Sequence, residues 1–154
     1  MIELIDFIAQ RHQLVFETGH VSPEEGLMAV HEAHQRGVKH IVVTHAMAAS
    51  VQMTIAQMKV AAQDGAFIEF VYGATQGANP VVTVGDYARA IREIGPKSCI
   101  LATDYGSVQS PARALEPDGL LEFMQAMRKE GISVDDINLM VKTNPALVFE
   151  LNPI

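Results

Sequence analysis

Two histidines and an aspartate stand at comparable points in this chain. His20 follows LVFETG, His45 follows HIVVT, and Asp104 follows SCILAT. Each of those runs is short and apolar, as a buried strand would be. Two imidazoles and a carboxylate suit a divalent metal, zinc first, with manganese or iron as the other choices. An ion held by His20, His45 and Asp104 with one position open can activate water for hydrolysis, and Asp104 can serve as general base. Singly, each residue has a plainer role. A histidine after a strand can be a solvated or capping residue, and an aspartate there often makes a turn. No local motif such as H-E-x-x-H supports the set, so the case rests on the matched positions.

Two further residues are candidates for substrate binding. In AFIEFV (66–71), strand alternation places Phe67, Glu69 and Val71 on one face. A carboxylate between phenylalanines is costly unless it is paired, so Glu69 either meets a polar partner inside the site or sits at an edge open to water. Arg113 lies in ATDYGSVQSPARALEPDG (102–119), a connection long enough to be functional. It can bind an acidic group, or simply hold its own loop. By the same alternation Ile100, Ala102 and Asp104 face the site, and Cys99 faces the helices as packing rather than as a reactive thiol. Met53, Met58, Met124 and Met127 fall at helical spacing as core fillers. His12, His31, His34 and His40 are expected at solvent or at the opposite sheet edge.

These residues need elements to position them. MIELIDFIAQ has its apolar residues at helical spacing. Ser22-Pro23-Glu24-Glu25 opens a helix that Gly37 stops. Ser50 is the expected cap of the next helix, which ends at Gly65. Thr83 with Asp86 forms a capping box, and that helix ends at Gly95-Pro96. Pro117 and Asp118 open another, and Ser133 with Asp136 caps one more before the tail NPALVFEL. The order is a helix, then strand-helix four times, then a short helical tail. Strands alternating with helices imply a parallel sheet, and a parallel sheet presents its ligands at the carboxyl ends of its strands.

Composition narrows the partners. The 154 residues suffice for one α/β domain spanning 1–154. Net charge is −7 with no basic run, which argues against nucleic acid and against an anionic membrane. A small-molecule substrate is the expected ligand. No apolar stretch is long enough to span a bilayer, and the amino terminus lacks the pattern of a signal peptide. Cys99 is the single cysteine and cannot form an internal disulfide, which fits a cytoplasmic location.

VTHA, the IEF strand, LATDYG and the tail INLMVKTNPALVFEL, together with the histidine after the first strand, resemble the carboxyl half of the amidohydrolase superfamily. Within it the resemblance is to the uncharacterised DUF6282-like group. Members of that superfamily are metal-dependent hydrolases on a TIM-type (β/α)8 barrel. The resemblance implies that His20 and His45 end the fifth and sixth strands as metal ligands, and that Asp104 ends the eighth as ligand and proton acceptor. Glu69 would lie on the seventh. The family's H-x-H pair of the first strand and its bridging Lys or Glu of the fourth have no counterpart here. A full barrel takes about 250 residues. The expected fold is therefore half a barrel, four parallel βα units with flanking helices.

Half a barrel leaves two strand edges unpaired and its inner side chains uncovered. The residues expected there are Phe16, Ile41, Val43, Ile100 and Ala102. Burying a large apolar side chain contributes ~1.5–3 kcal/mol, so such a face calls for a partner. A homodimer, a complementary half-barrel chain or the rest of a longer protein would serve. The leading expectation is a metal-dependent hydrolase of an amide, ester, lactone or phosphoester, incomplete as this chain alone. The rival is a non-catalytic half-barrel module that associates through its open sheet edge. A nucleotide-binding domain is weaker, because no Gly-rich phosphate loop follows any strand.

Overall fold

Four strands lie side by side in the order in which the chain makes them. The computed structural model describes residues 1–78, 80–106 and 116–151. The chain runs through α1 (Ile2–Ala9), β1 (Phe16–Glu17), α2 (Pro23–Gln35), β2 (Ile41–Val43), α3 (Ile55–Gln63), β3 (Phe67–Val71), α4 (Val84–Ile94), β4 (Cys99–Ala102), α5 (Glu116–Lys129), α6 (Val134–Asn138) and α7 (Asn144–Val148). The sheet order is β1-β2-β3-β4, and every pairing is parallel. Crossovers between parallel strands are right-handed. A sheet that advances in one direction by such crossovers carries all its crossover helices on one face. This is an α/β architecture consistent with half a barrel.

Local chemistry sets where the helices begin. Ser22, Thr54 and Thr83 each accept the backbone N–H three residues on, while the side chain of Glu25, Gln57 or Asp86 accepts the N–H of the cap. Ser133 caps α6 through the Asp136 N–H. Ser50 does not cap α3. Residues 46–53 form turns instead, closed by the Val51 and Met53 N–H groups on the carbonyls of Ala48 and Ala46, and they bury Val51 and Met53. The helix starts where Thr54 and Gln57 can satisfy its free amides reciprocally.

Register decides which side chains face the helices. Phe16 pairs with Ile41, Val43 with Ile68, and Phe70 with Leu101. All six, with Cys99, join the main core beneath Val30, Met58, Tyr87, Ile91, Phe123 and Met127. Phe16, Ile41 and Val43 therefore face the helices and not the opposite face, contrary to the expectation from alternation. Ile100 does lie on the opposite face, in a small cluster with Val42 and Val148, against which Val15 and Phe67 pack. Glu17 and Glu69 share that face by register with Val42 and Ile100.

The tail closes one end of that face. α6 widens into a π turn (Leu139–Thr143) before Pro145, whose missing N–H interrupts the α-helical ladder. Asn144, 2% exposed, then donates from Nδ2 to the carbonyls of Pro96 (2.9 Å) and Cys99 (2.7 Å) at the start of β4. Val148 packs against Val42 and Ile100. Glu150 meets Lys39 and lies 3.3 Å from His40 Nε2, at the start of β2. The amino ends of the strands are thus spanned from β4 to β2. No helix among the described residues is long and apolar enough to cross a membrane.

Removing the Asn144 amide leaves the buried carbonyl contacts unmade. Asn144→Ala is expected to lower stability by about 1–3 kcal/mol. Urea unfolding of the two proteins measures it, and an unchanged midpoint would remove Asn144 as the anchor of the tail.

Candidate functional site

The strand ends share a pattern. Thr18, Thr44 and Thr103 each stand one residue past β1, β2 and β4, and Gly19, His45 and Asp104 stand two past. Those three second residues all adopt left-handed backbone, with φ of 66°, 48° and 55°. Glycine does so without penalty, whereas a histidine and an aspartate there are uncommon and strained. Such strain persists only where surrounding structure enforces it, and it concentrates at functional sites.

The threonines supply part of that enforcement. The Thr44 N–H donates to Thr18 Oγ1 (3.1 Å), and the Gly19 N–H donates to Thr44 Oγ1 (3.2 Å). The ends of β1 and β2 are thereby joined through side chains after their ladder has stopped. Thr103 Oγ1 accepts the Tyr105 N–H at 3.2 Å and donates to Glu116 Oε1 at 2.6 Å. The repeated Thr in ETGH, VTHA and ATDYG is visible in the sequence, and it was the neighbouring histidines and aspartate that drew attention instead.

His45 is the centre of the cluster. Its backbone N–H donates to Glu69 Oε2 at 3.2 Å. Its ring Nε2 lies 3.9 Å from that same Glu69 oxygen and 3.7 Å from Asp104 Oδ2. His20 stacks on it, with ring centroids 4.9 Å apart and planes 27° from parallel. Gly19, rather than His20, holds the place equivalent to His45 and Asp104. His20 follows one residue later, is exposed, and reaches the site by stacking. Arg113 lies outside the described residues.

The environment of these groups is graded. The His45 side chain is 14% exposed, Glu69 20% and Asp104 57%. Burial pushes the Glu69 carboxyl above its ordinary pKa, the His45 N–H and the ring oppose that shift, and Glu17 and Asp104 reinforce it. His45 Nδ1 is buried and has no hydrogen-bond partner among the described residues.

The donors fit a divalent ion in kind and roughly in spacing. Around a tetrahedral zinc, neighbouring N and O ligands stand about 3.4 Å apart. The two Nε2–oxygen separations exceed that by a few tenths of an ångström, and both are too long for hydrogen bonds. Among the described residues, no three His, Cys, Asp or Glu side chains already converge as an ion cage. Asp104 and His20 would have to move their side chains to form one.

A raised carboxyl pKa makes the charged form of Glu69 unfavourable in the fold. Its ordinary value is 4.5. Folded protein binds the extra proton between that value and the raised one, so stability falls as pH rises across that interval and is restored below it. Glu69→Gln keeps an acceptor for the His45 N–H and removes the charge. It is expected to be the more stable protein at pH 7, with the advantage shrinking towards pH 4. Thermal unfolding across this range measures it, and parallel pH profiles for both proteins would contradict a raised Glu69 pKa.

The model of a family of unknown function, DUF6282, matches residues 1–69. That stretch holds His20, His45 and Glu69 and stops short of Asp104. No curated protein matches the chain.

Proposed function

We propose that this chain carries the metal-binding edge of an amidohydrolase-type hydrolase, acting on an amide, ester, lactone or phosphoester. The observation that carries the reading is His45 Nε2, set between two carboxylate oxygens on strained backbone at the carboxyl end of a parallel sheet. His45, Asp104 and His20 would hold the ion, zinc first and manganese or iron next. A bound divalent ion lowers the pKa of water and polarises the substrate oxygen. Asp104 is the more exposed of the two carboxylates beside His45, and it can take a proton from water at Oδ2. Glu69 lies at the floor of the site as a polar contact for substrate, with one oxygen committed to the His45 N–H. The fold by itself does not choose the bond that is cleaved.

The unpaired edges favour a second element of the reading, a partner. α1 packs on α2 at the β1 edge, and α5 packs on α4 at the β4 edge. α1 is apolar on both sides: Ile5 and Ile8 are buried, while Met1, Ile2, Leu4 and Phe7 are exposed. If two copies closed a ring by pairing β4 of one with β1 of the other, α5 and the partner's α1 would compete for one place over the seam. A complementary half-barrel without flanking end helices avoids that conflict, so it suits the edges better than a homodimer. The rival reading, a non-catalytic module, shares this partner and lacks the ion.

Calorimetric titration of the metal-stripped chain with Zn²⁺ and with Mn²⁺ tests the reading. One ion per chain is expected, and His45→Ala is expected to weaken binding at least 10-fold. Binding that ignores His45, or no binding at all, would leave the non-catalytic module as the better account.

A further inference from the structure

Asp104 holds a left-handed φ of 55° without glycine's freedom, and both of its chain neighbours are gripped from outside the strand. Before it, Thr103 is 3% exposed, and its Oγ1 donates to Glu116 Oε1 at the start of α5. After it, the Tyr105 ring lies on Gly119, one turn along α5. A Cβ at Gly119 would come within 2.3 Å of Tyr105 Cε2, so only a bare backbone admits the ring. On the opposite side, the Gly73 N–H donates to the Thr103 carbonyl at 2.8 Å, and a Cβ there would approach that oxygen to 3.0 Å. Thr103 Oγ1 also accepts the Tyr105 N–H, which bridges directly across Asp104.

We propose that the first turn of α5 is a clamp that sets Asp104 in the site, with Glu116 as its positioning residue and Gly119 as the seat for Tyr105. The inference rests on the hydrolase reading for what Asp104 is held to do. Among the described residues, Glu116 hydrogen-bonds through its side chain to Thr103 and not to His20, His45 or Asp104. It acts through the Thr103 hydroxyl, which is turned so that it donates to Glu116 and accepts from Tyr105. Losing the Glu116 acceptor frees that hydroxyl to rotate and releases the constraint on the Asp104 peptide. The carboxylate then leaves its place 3.7 Å from His45 Nε2. The clamp also ties residue 103 to residue 116 by side chains.

Glu116→Ala and Glu116→Gln in the full chain separate positioning from general stability. The glutamine retains an acceptor for the Thr103 hydroxyl, and the alanine does not. Two readouts are taken: the Asp104 backbone conformation from carbon NMR shifts, and Zn²⁺ affinity by calorimetry. Glu116→Ala is expected to lose the left-handed signature at Asp104 and to bind Zn²⁺ at least 10-fold more weakly, with Glu116→Gln restoring both. Gly119→Ala, which displaces Tyr105, is expected to shift Asp104 in the same way. Unchanged Asp104 shifts in Glu116→Ala would overturn the clamp, whatever the Zn²⁺ result. A wild-type chain that binds no Zn²⁺ would overturn the hydrolase reading, while the shifts still decide the clamp.

Discussion

Everything in this molecule follows from one constraint, the monotonic order of four parallel strands. Right-handed crossovers over a sheet that never reverses direction must all lie on one face. The helical face is therefore fully covered, and the strands give it Ile41, Val43, Ile68, Phe70 and Leu101. Among the described residues, the other face has Val42, Ile100 and the returning Val148 as a small buried cluster. An open doubly wound sheet would have no such asymmetry, because its order reverses and helices cover both sides. Here the tail does a small part of that work, and only at the amino ends of the strands. The polar residues collect at the carboxyl ends.

At those ends the ladder hydrogen bonds run out, and side chains take over. Thr18 and Thr44 exchange bonds with backbone amides across two strands, and Thr103 bridges the turn that follows β4. The cost they help to offset is local strain of about 1–3 kcal/mol for each non-glycine residue held left-handed. At the strand ends His45 and Asp104 bear it, as Gln52 and Glu150 do elsewhere in the described residues, and His45 and Asp104 are the pair whose side chains approach each other. A fold with no use for that approach could have relieved the strain with glycine, as Gly19 does at the end of β1.

Electrostatics gives the cluster its direction. Glu17 and Asp104 both act on Glu69, and the His45 imidazole lies between Glu69 and Asp104. Half-burial of Glu69 makes its charge expensive and raises its pKa, while the exposed Asp104 keeps access to water. On the hydrolase reading proposed above, a small cation would lower the energy of these carboxylates, whose distances to the imidazole are too long for hydrogen bonds. The acidic balance of the whole chain, −7, favours the approach of such an ion over long range.

The sequence by itself determined the local features. Ser22 with Glu25 and Thr83 with Asp86 mark helix starts because a cap and its reciprocal partner lie three residues apart. Strand-helix alternation implied the parallel sheet, and alternation along β3 and β4 placed Glu69, Ile100 and Cys99 on their proper faces. Thr54 was passed over for Ser50, since both can cap and only the packing of Val51 and Met53 chooses between them. Phe16, Ile41 and Val43, expected on the inner face, lie on the helical face. Gly19 and His45 break the alternation with left-handed turns, and only pairing with the neighbouring strand restores it. The gathering of His20, His45, Glu69 and Asp104 was likewise a matter of tertiary structure. Their separations depend on register between strands that are distant in sequence, and register is set by packing across the whole sheet, which no local spacing encodes.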